Sequence, residues 1–135
     1  MDDLFKLDIK SVEGTLFSDD VLFLRINTSS GDMGIQAGHT FTISNIVEGV
    51  LEYSITEDKV EFLYISGGIA VVKPNHVLLS VDYVKKPTDF DAKELKDTIK
   101  HSTQNYKEST NYDSKMESLH LLNTAENKLK VAQSV

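Results

Sequence analysis

The side chains that could do chemistry in this 135-residue chain are acids and histidines spread over separate segments. Cysteine is absent, which excludes disulfides, thiolate metal sites and Cys nucleophiles. Metal sites use i, i+4 or short-loop spacing, which is not found among the four histidines, His39, His76, His101 and His120. The acid–base candidates that remain, Asp32, His39 and Asp82, fall on separate predicted loops. The residues themselves therefore predict no catalytic set, no metal site and no cofactor.

Two glycine-rich segments are the other candidates for binding. The segment GDMGIQAGH, residues 31–39, lacks the Lys-Ser/Thr pair that ends a P-loop and does not have dinucleotide-binding spacing. The segment SGG, residues 66–68, lacks the Gly that precedes the Ser of a nucleophile elbow. Both segments are predicted to be turns or bends between strands.

The charge of the chain restricts its partners. With 14 Lys and Arg against 21 Asp and Glu, the net charge is −7. An acidic chain without a basic cluster argues against binding to nucleic acid or directly to anionic lipid. No apolar run approaches the ~20 residues of a membrane span. The expectation is a soluble, intracellular protein.

Period-two patterning predicts that the first half of the chain is an antiparallel β-sandwich. Phe5, Leu7 and Ile9 alternate with polar residues, which places them on one face of a strand. Residues 50–65 read as a hairpin around Glu57 and Asp58. Residues 69–82 read as a second hairpin around Pro74 and Asn75.

After Pro87 the period becomes helical, and neither Gly nor Pro occurs again. Apolar spacings of three and four predict two antiparallel helices, residues 90–107 and 114–132. The first stripe is Leu95, Ile99, Ser102 and Tyr106, and the second is Met116, Leu119, Leu122, Ala125, Leu129 and Ala132. Asp89 and Asp91 are candidates for an N-cap. The chain is thus predicted to contain an N-terminal β-sandwich domain, residues 1–85, and a C-terminal helical hairpin domain, residues 88–135.

Several segments in linear order resemble a known family. They are FKLDIKSVEGTLF at residues 5–17, GDMGIQAGH at 31–39, SGGIAVVKPNHVLLSVD at 66–82 and LKVA at 129–132. Together they resemble the epsilon subunit of F-type ATP synthases, called delta in mitochondria. The resemblance covers essentially the whole chain.

The resemblance implies a central-stalk rotor subunit that is not itself an enzyme. Its β-sandwich would dock on the gamma subunit and on the ring of c subunits. Its helical hairpin would fold down or extend along gamma, transiently reaching the alpha and beta subunits, and the extended form would restrain ATP hydrolysis. The subunit would lie at the cytoplasmic side of the cell membrane, or the inner face of an organelle membrane, through the complex alone.

The same resemblance implies roles for individual residues. Asp32 matches the family acid that faces the polar loops of the c ring, and His39 matches a histidine near the gamma contact. The matching glycines are expected where the backbone turns or approaches another chain: Gly31, Gly34, Gly38, Gly67 and Gly68.

This sequence departs from the family pattern at two positions, one in the glycine-rich loop and one in the first helix. The family usually has Pro where this chain has Ala37. Asp91 matches the acid at the head of the first helix, but Glu94 stands where some bacterial members have an Arg that contributes to ATP binding. Because Glu94 reverses that charge, no nucleotide binding is expected.

Three other interpretations remain open from the sequence. One is a subunit of a specialised F-type-like ATPase. Another is a free-standing β-sandwich module that binds a small ligand or peptide and carries a regulatory helical tail. The last is an enzyme that uses Asp32, His39 and Asp82.

Overall fold

The computed structural model describes residues 3–133 as two compact units, Met1–Lys85 (the β unit) and Lys86–Val135 (the helical unit). The strands are β1 Phe5–Ser11, β2 Gly14–Val21, β3 Phe23–Thr28, β4 Gly31–Ile35, β5 Thr42–Ile46, β6 Gly49–Thr56, β7 Lys59–Ile65, β8 Gly68–Val72, β9 His76–Val81 and β10 Val84–Lys85. A 3-10 turn, Pro87–Asp89, precedes the helices α1 Ala92–Glu108 and α2 Tyr112–Ala132. That residues 1–85 and 88–135 each fold independently stays a prediction.

The β unit is a sandwich, as predicted. Strands β4-β3-β6-β7-β10 form one half and β5-β8-β9-β1-β2 the other, joined where Thr28 pairs with Ile46. Alternate residues of each half point inward, and the core is Phe5, Leu7, Ile9, Val21, Leu24, Ile26, Ile35, Ile46, Leu51, Leu63, Ile65, Ala70, Val72, Val77, Leu79 and Val81. Burial of this apolar surface is the main stabilising contribution to the unit.

Most strand pairs are antiparallel, and both predicted hairpins are confirmed in β6–β7 and β8–β9. One pair departs from the prediction, since β1 lies parallel to β9. The first strand inserts beside the last long strand and runs in the same direction, which local pattern cannot foresee because the pairing joins distant segments.

Three strands were not predicted: β2, β4 and the two-residue β10. In β2 only Val21 is buried. This strand was not predicted because its polar residues give no alternating apolar pattern. Residues 31–35 were predicted to be part of a glycine-rich turn, and this is wrong, because they form β4 on the edge of the sheet beside β3. Turns flank this strand at residues 29–30 and 37–38, and the φ values of +114° at Gly31 and +86° at Gly38 suit glycine.

The two helices lie close to their predicted positions. The Asp91 side chain caps α1, and the Asn111 side chain caps α2, so the second helix begins two residues earlier than predicted. The three-residue connection makes the pair antiparallel. The stripe of α1 is confirmed as its less exposed face, with Ser102 buried. Met116 of the predicted α2 stripe is instead exposed.

Neither described helix is both long enough and apolar enough to cross a membrane.

Candidate functional site

One end of the sandwich brings together five of the residues singled out in the sequence: Gly31, Asp32, Gly67, Gly68 and Asp82. Register aligns Gly31 with Thr28, Thr28 with Ile46, Ile46 with Gly68, and Gly68 with Val81. Asp32 follows Gly31 in the chain, and Gly67 precedes Gly68. The turns at this end also supply carboxylates, so we call it the acidic end and define it by Glu13, Asp32, Glu48 and Asp82.

The opposite end holds Gly38 and His39. The Gly38 amide donates to the Pro74 carbonyl at 2.7 Å, which ties this loop to the β8–β9 turn. The His39 ring lies 2.8 Å, through Nδ1, from the carbonyl of Thr40. The length of β9 separates this end from Asp82, about 17 Å at ~3.3 Å per residue. Asp32, His39 and Asp82 are therefore not brought together, and the predicted contact residues divide between two ends.

The five matching glycines have different physical reasons. Gly31 and Gly38 have φ of +114° and +86°, which L side chains rarely adopt. A Cβ on Gly68 would overlap the carbonyl oxygen of Ser80, and a Cβ on Gly67 would lie 3.1 Å from that of Ile46. These four are explained within the chain.

Gly34 differs from the others, because a Cβ there would meet only the Phe23 ring, at an ordinary 3.5 Å. Neither its backbone angles nor its neighbours in the described chain require glycine. Gly34 therefore remains the best candidate for close approach of a partner.

The half of the sandwich formed by β5, β8, β9, β1 and β2 has an exposed apolar surface on its outer face, which was not predicted from the sequence. Ile43, Val71 and Leu78 are successive register partners across β5, β8 and β9. Ile69 lies on the same face of β8, and Phe41 directly precedes β5. Ile43 is 62% exposed, Phe41 58% and Ile69 49%. We call Phe41, Ile43, Ile69, Val71 and Leu78 the outer apolar patch.

The sequence carried a signal for this patch. Residues 69–72 and 77–79 are continuous apolar runs, which are typical of strands covered on both faces. An isolated sandwich buries only one face of each strand. The excess apolar residues therefore mark the outer face as a candidate interaction surface.

A charged row borders the patch on β1. In register, Leu78 faces Asp8, which lies between Lys6 and Lys10 along the strand. Asp8 accepts hydrogen bonds from the Ser18 hydroxyl and from His76, whose Nε2 lies 2.8 Å from Oδ2. These bonds, that from Ser18 first, lower the pKa of Asp8. The lowered pKa keeps Asp8 ionised, so the row of two lysines and one carboxylate has a net positive charge beside the patch.

The helical unit contains a groove of about 310 Å³ between α1 and α2. Its lining includes the carboxylates of Asp89, Asp91 and Glu94. Oδ1 of Asp91 accepts from the amides of Lys93 at 3.0 Å and Glu94 at 3.4 Å. The first amides of α1, which could bind an anion, are thus already capped by a carboxylate. Lys128 also lines the groove, so the three carboxylates face one lysine there.

Comparison with known proteins found one matching family and similar solved structures. The model of the ATP synthase Delta/Epsilon chain beta-sandwich domain matches residues 4–87. A chain of the Euglena gracilis mitochondrial ATP synthase, in an OSCP/F1/c-ring structure, is 22% identical, with a TM-score of 0.78, 96% of this chain and 81% of that chain covered. A chain of the Tetrahymena thermophila mitochondrial ATP synthase central stalk and c-ring is 14% identical, with a TM-score of 0.56, 95% and 96% covered. At these identities the two structures support the fold, and the family match confirms the resemblance.

Proposed function

Because the chain belongs to the ATP synthase Delta/Epsilon chain family and is a stalk subunit of the rotor, we propose that its β unit joins the gamma subunit to the c ring. The outer apolar patch is the observation that supports this most directly. It lies on a face of the sandwich, whereas the acidic end lies at the ends of strands. Two separate surfaces suit a subunit that holds two partners at once.

The gamma subunit is the proposed partner of the outer apolar patch. Burial of a large apolar side chain contributes ~1.5–3 kcal/mol relative to exposure, so the three most exposed members supply a useful driving force. The neighbouring lysines, Lys6 and Lys10, favour acids on gamma at the edge of this contact. His39 lies at the end of the sandwich opposite the acidic end, two residues before Phe41 of the patch, so it is near the edge of the proposed gamma contact.

The c ring is the proposed partner of the acidic end. Asp32 is exposed on β4, opposite Asn27 in register. An exposed acid on an edge strand is suited to basic groups on the polar loops of c subunits. Gly34, two residues further along the same strand, would let a partner backbone approach closely.

The chain itself is proposed to be non-catalytic, with ATP chemistry on the alpha and beta subunits. It would be peripheral to the membrane, at its cytoplasmic side or at the inner face of an organelle membrane. The helical unit would restrain ATP hydrolysis by its position, through transient contact with alpha and beta. Its acidic groove supports a mechanism without nucleotide binding.

The gamma contact is tested with Ile43→Asp in the full chain, using recombinant gamma and measuring the dissociation constant. A charge in the buried centre of an interface should weaken binding at least about tenfold. Val60→Asp is the matched control, because Val60 is exposed on β7 outside the patch. Equal binding by the two variants, both folded, would show that gamma docks elsewhere.

Truncation after Lys85 tests the restraint. The complex should still assemble, and its ATP hydrolysis should rise if the helical unit holds the enzyme back. Unchanged hydrolysis would remove the inhibitory role while leaving the stalk assignment intact.

Calorimetry on the full chain should detect no ATP binding below about 1 mM. The reason is repulsion between the carboxylates of the groove and the phosphates, which costs ~1 kcal/mol per screened like-charge contact.

A further inference from the structure

The last segment of the β unit is held by a compact set of side chains. Ser66 Oγ accepts from the amides of Asp82 at 2.8 Å and Tyr83 at 3.1 Å, while the Ser66 amide donates to the Tyr83 carbonyl at 3.1 Å. The next two residues, β10, pair with Tyr64 and Ile65. The chain then continues at Lys86 into the helical unit.

Glu48, on the β5–β6 turn, closes this set from the other side. Its Oε1 accepts from the Tyr83 hydroxyl at 2.8 Å, and its Oε2 accepts from the Tyr64 hydroxyl at 2.6 Å. The two rings are stacked, with centroids 6.4 Å apart and planes 21° apart. One carboxylate thus joins a turn at the acidic end to both β7 and the segment that leaves the β unit. We call Glu48, Tyr64, Ser66 and Tyr83 the exit latch.

The electrostatics agree with this geometry. Burial and then the hydrogen bond to Glu48 raise the pKa of Tyr83 to about 12. The pKa of Tyr64 is raised further by the same two causes in the same order. A hydrogen bond from a hydroxyl to a carboxylate is stronger than a neutral one, so the latch is more than a packing contact.

We propose that Glu48 is a positioning residue, which holds Tyr83 and thereby fixes the backbone from which the chain continues toward the helical unit. While the latch is closed, β10 stays paired with β7. When the Glu48–Tyr83 bond is lost, residues 82–85 open without unfolding of the sandwich core. The stalk assignment does not depend on this proposal. Glu48 belongs to the acidic end, but the proposed c-ring contact is argued from Asp32 and Gly34, and the proposed gamma contact from the outer apolar patch.

Trypsin cleavage after Lys85 tests the proposal in the full chain, because this bond lies in β10 and must leave the sheet to be cut. Glu48→Gln and Tyr83→Phe should each cleave about tenfold faster, as expected for loss of a charge-assisted hydrogen bond. Glu52→Gln is the matched control, since Glu52 lies on the adjoining strand β6 in an ion pair with Arg25 at 3.5 Å. Its cleavage rate should equal that of the unmodified chain.

A double variant separates positioning from general weakening. If Glu48 acts through Tyr83, the combined Glu48→Gln and Tyr83→Phe chain should cleave no faster than the faster single variant. Amide exchange in β1, β8 and β9 should stay slow in every variant. Additive effects, unchanged cleavage of both single variants, or equally faster exchange in the core would each overturn the proposal. In Glu48→Gln the pKa of Tyr83, followed by ultraviolet titration, should also fall from about 12.

Discussion

The β unit and the helical unit are stabilised in different ways. In its described part, residues 3–85, the β unit buries a cluster of sixteen hydrophobic side chains. In the described part of the helical unit, residues 86–133, only the hydrophobic residues Ala125 and Val131 are buried. Because apolar burial is the main favourable term in folding, the sandwich has a core of its own, whereas the helix pair depends more on local interactions.

Those local interactions are visible in the helices. Asp91 and Asn111 cap them, and Thr98 and Thr103 direct their hydroxyls back to main-chain carbonyls four residues earlier. Lys115 lies 5.4 Å from the centroid of the Tyr106 ring. Each such contact contributes little, so the helical unit should respond to small free-energy differences between conformations. That property agrees with the proposed restraint of ATP hydrolysis by the helical unit.

A core truncation should show the contrast most strongly. Leu79→Ala leaves a cavity in the sandwich and should lower the unfolding free energy of the β unit by about 3 kcal/mol. Leu122→Ala in α2, whose side chain is only half-buried, should cost the helical unit less than half as much. Urea denaturation with residue-resolved hydrogen exchange measures both. Equal losses would contradict the difference between the units.

Glycine substitutions should separate structural from docking positions within the β unit. Gly68→Ala forces a Cβ against Ser80 and should lower the unfolding free energy by about 1–3 kcal/mol. Gly34→Ala should change it by less than about 0.5 kcal/mol. Thermal denaturation compares the two. If Gly34→Ala is as destabilising as Gly68→Ala, its glycine is explained by the fold and not by a partner.

Loss of a cap should affect the helical unit alone. Asp91→Ala removes the acceptor for the first amides of α1 and should cost that helix about 1 kcal/mol. Circular dichroism and amide exchange at Lys93 and Glu94 follow the change. Asp97→Ala, at an exposed position inside α1, is the control. Faster exchange in β1 or β9 of the Asp91 variant would mean that the units do not respond separately.

The smallest expected effect is the pH dependence of Asp8 in the β unit. Since its folded pKa is lowered, its stabilising contribution is present above about pH 5 and is lost as pH falls through that lowered value. Asp8→Asn should flatten this acid limb by less than about 1 kcal/mol, because the pair is near the surface. Urea midpoints measured from neutral to acid pH give the slope. An unchanged slope, with Asp20→Asn as control, would mean that Asp8 is not stabilised as a carboxylate.

Local features of the fold were accessible from the sequence. The change of period after Pro87 separated strands from helices, and Asp91 was recognised as a cap because a carboxylate before a helical stripe has one obvious partner. The two hairpins were accessible for a similar reason, since their turns and strands are contiguous. Polar β2 and edge strand β4 were missed because neither has an alternating apolar pattern.

Features of the fold that depend on the register between distant strands could not be predicted from the sequence. No local pattern indicates that Asp32 and Gly68 share one end of the sandwich while His39 lies at the other. Glu48 and Tyr83 are separated by 35 residues and meet only through pairing of distant strands. The outer apolar patch was signalled by continuous apolar runs, but its alignment across β5, β8 and β9 needed the sheet order.

Purification of the tagged full chain from native membranes, with identification of the associated subunits by mass spectrometry, tests the stalk assignment most directly. We expect recovery of gamma, c subunits and the catalytic alpha and beta subunits, with gamma reduced when the bait carries Ile43→Asp. Recovery of the chain alone, or with partners that include no subunit of a rotary ATPase, would contradict it.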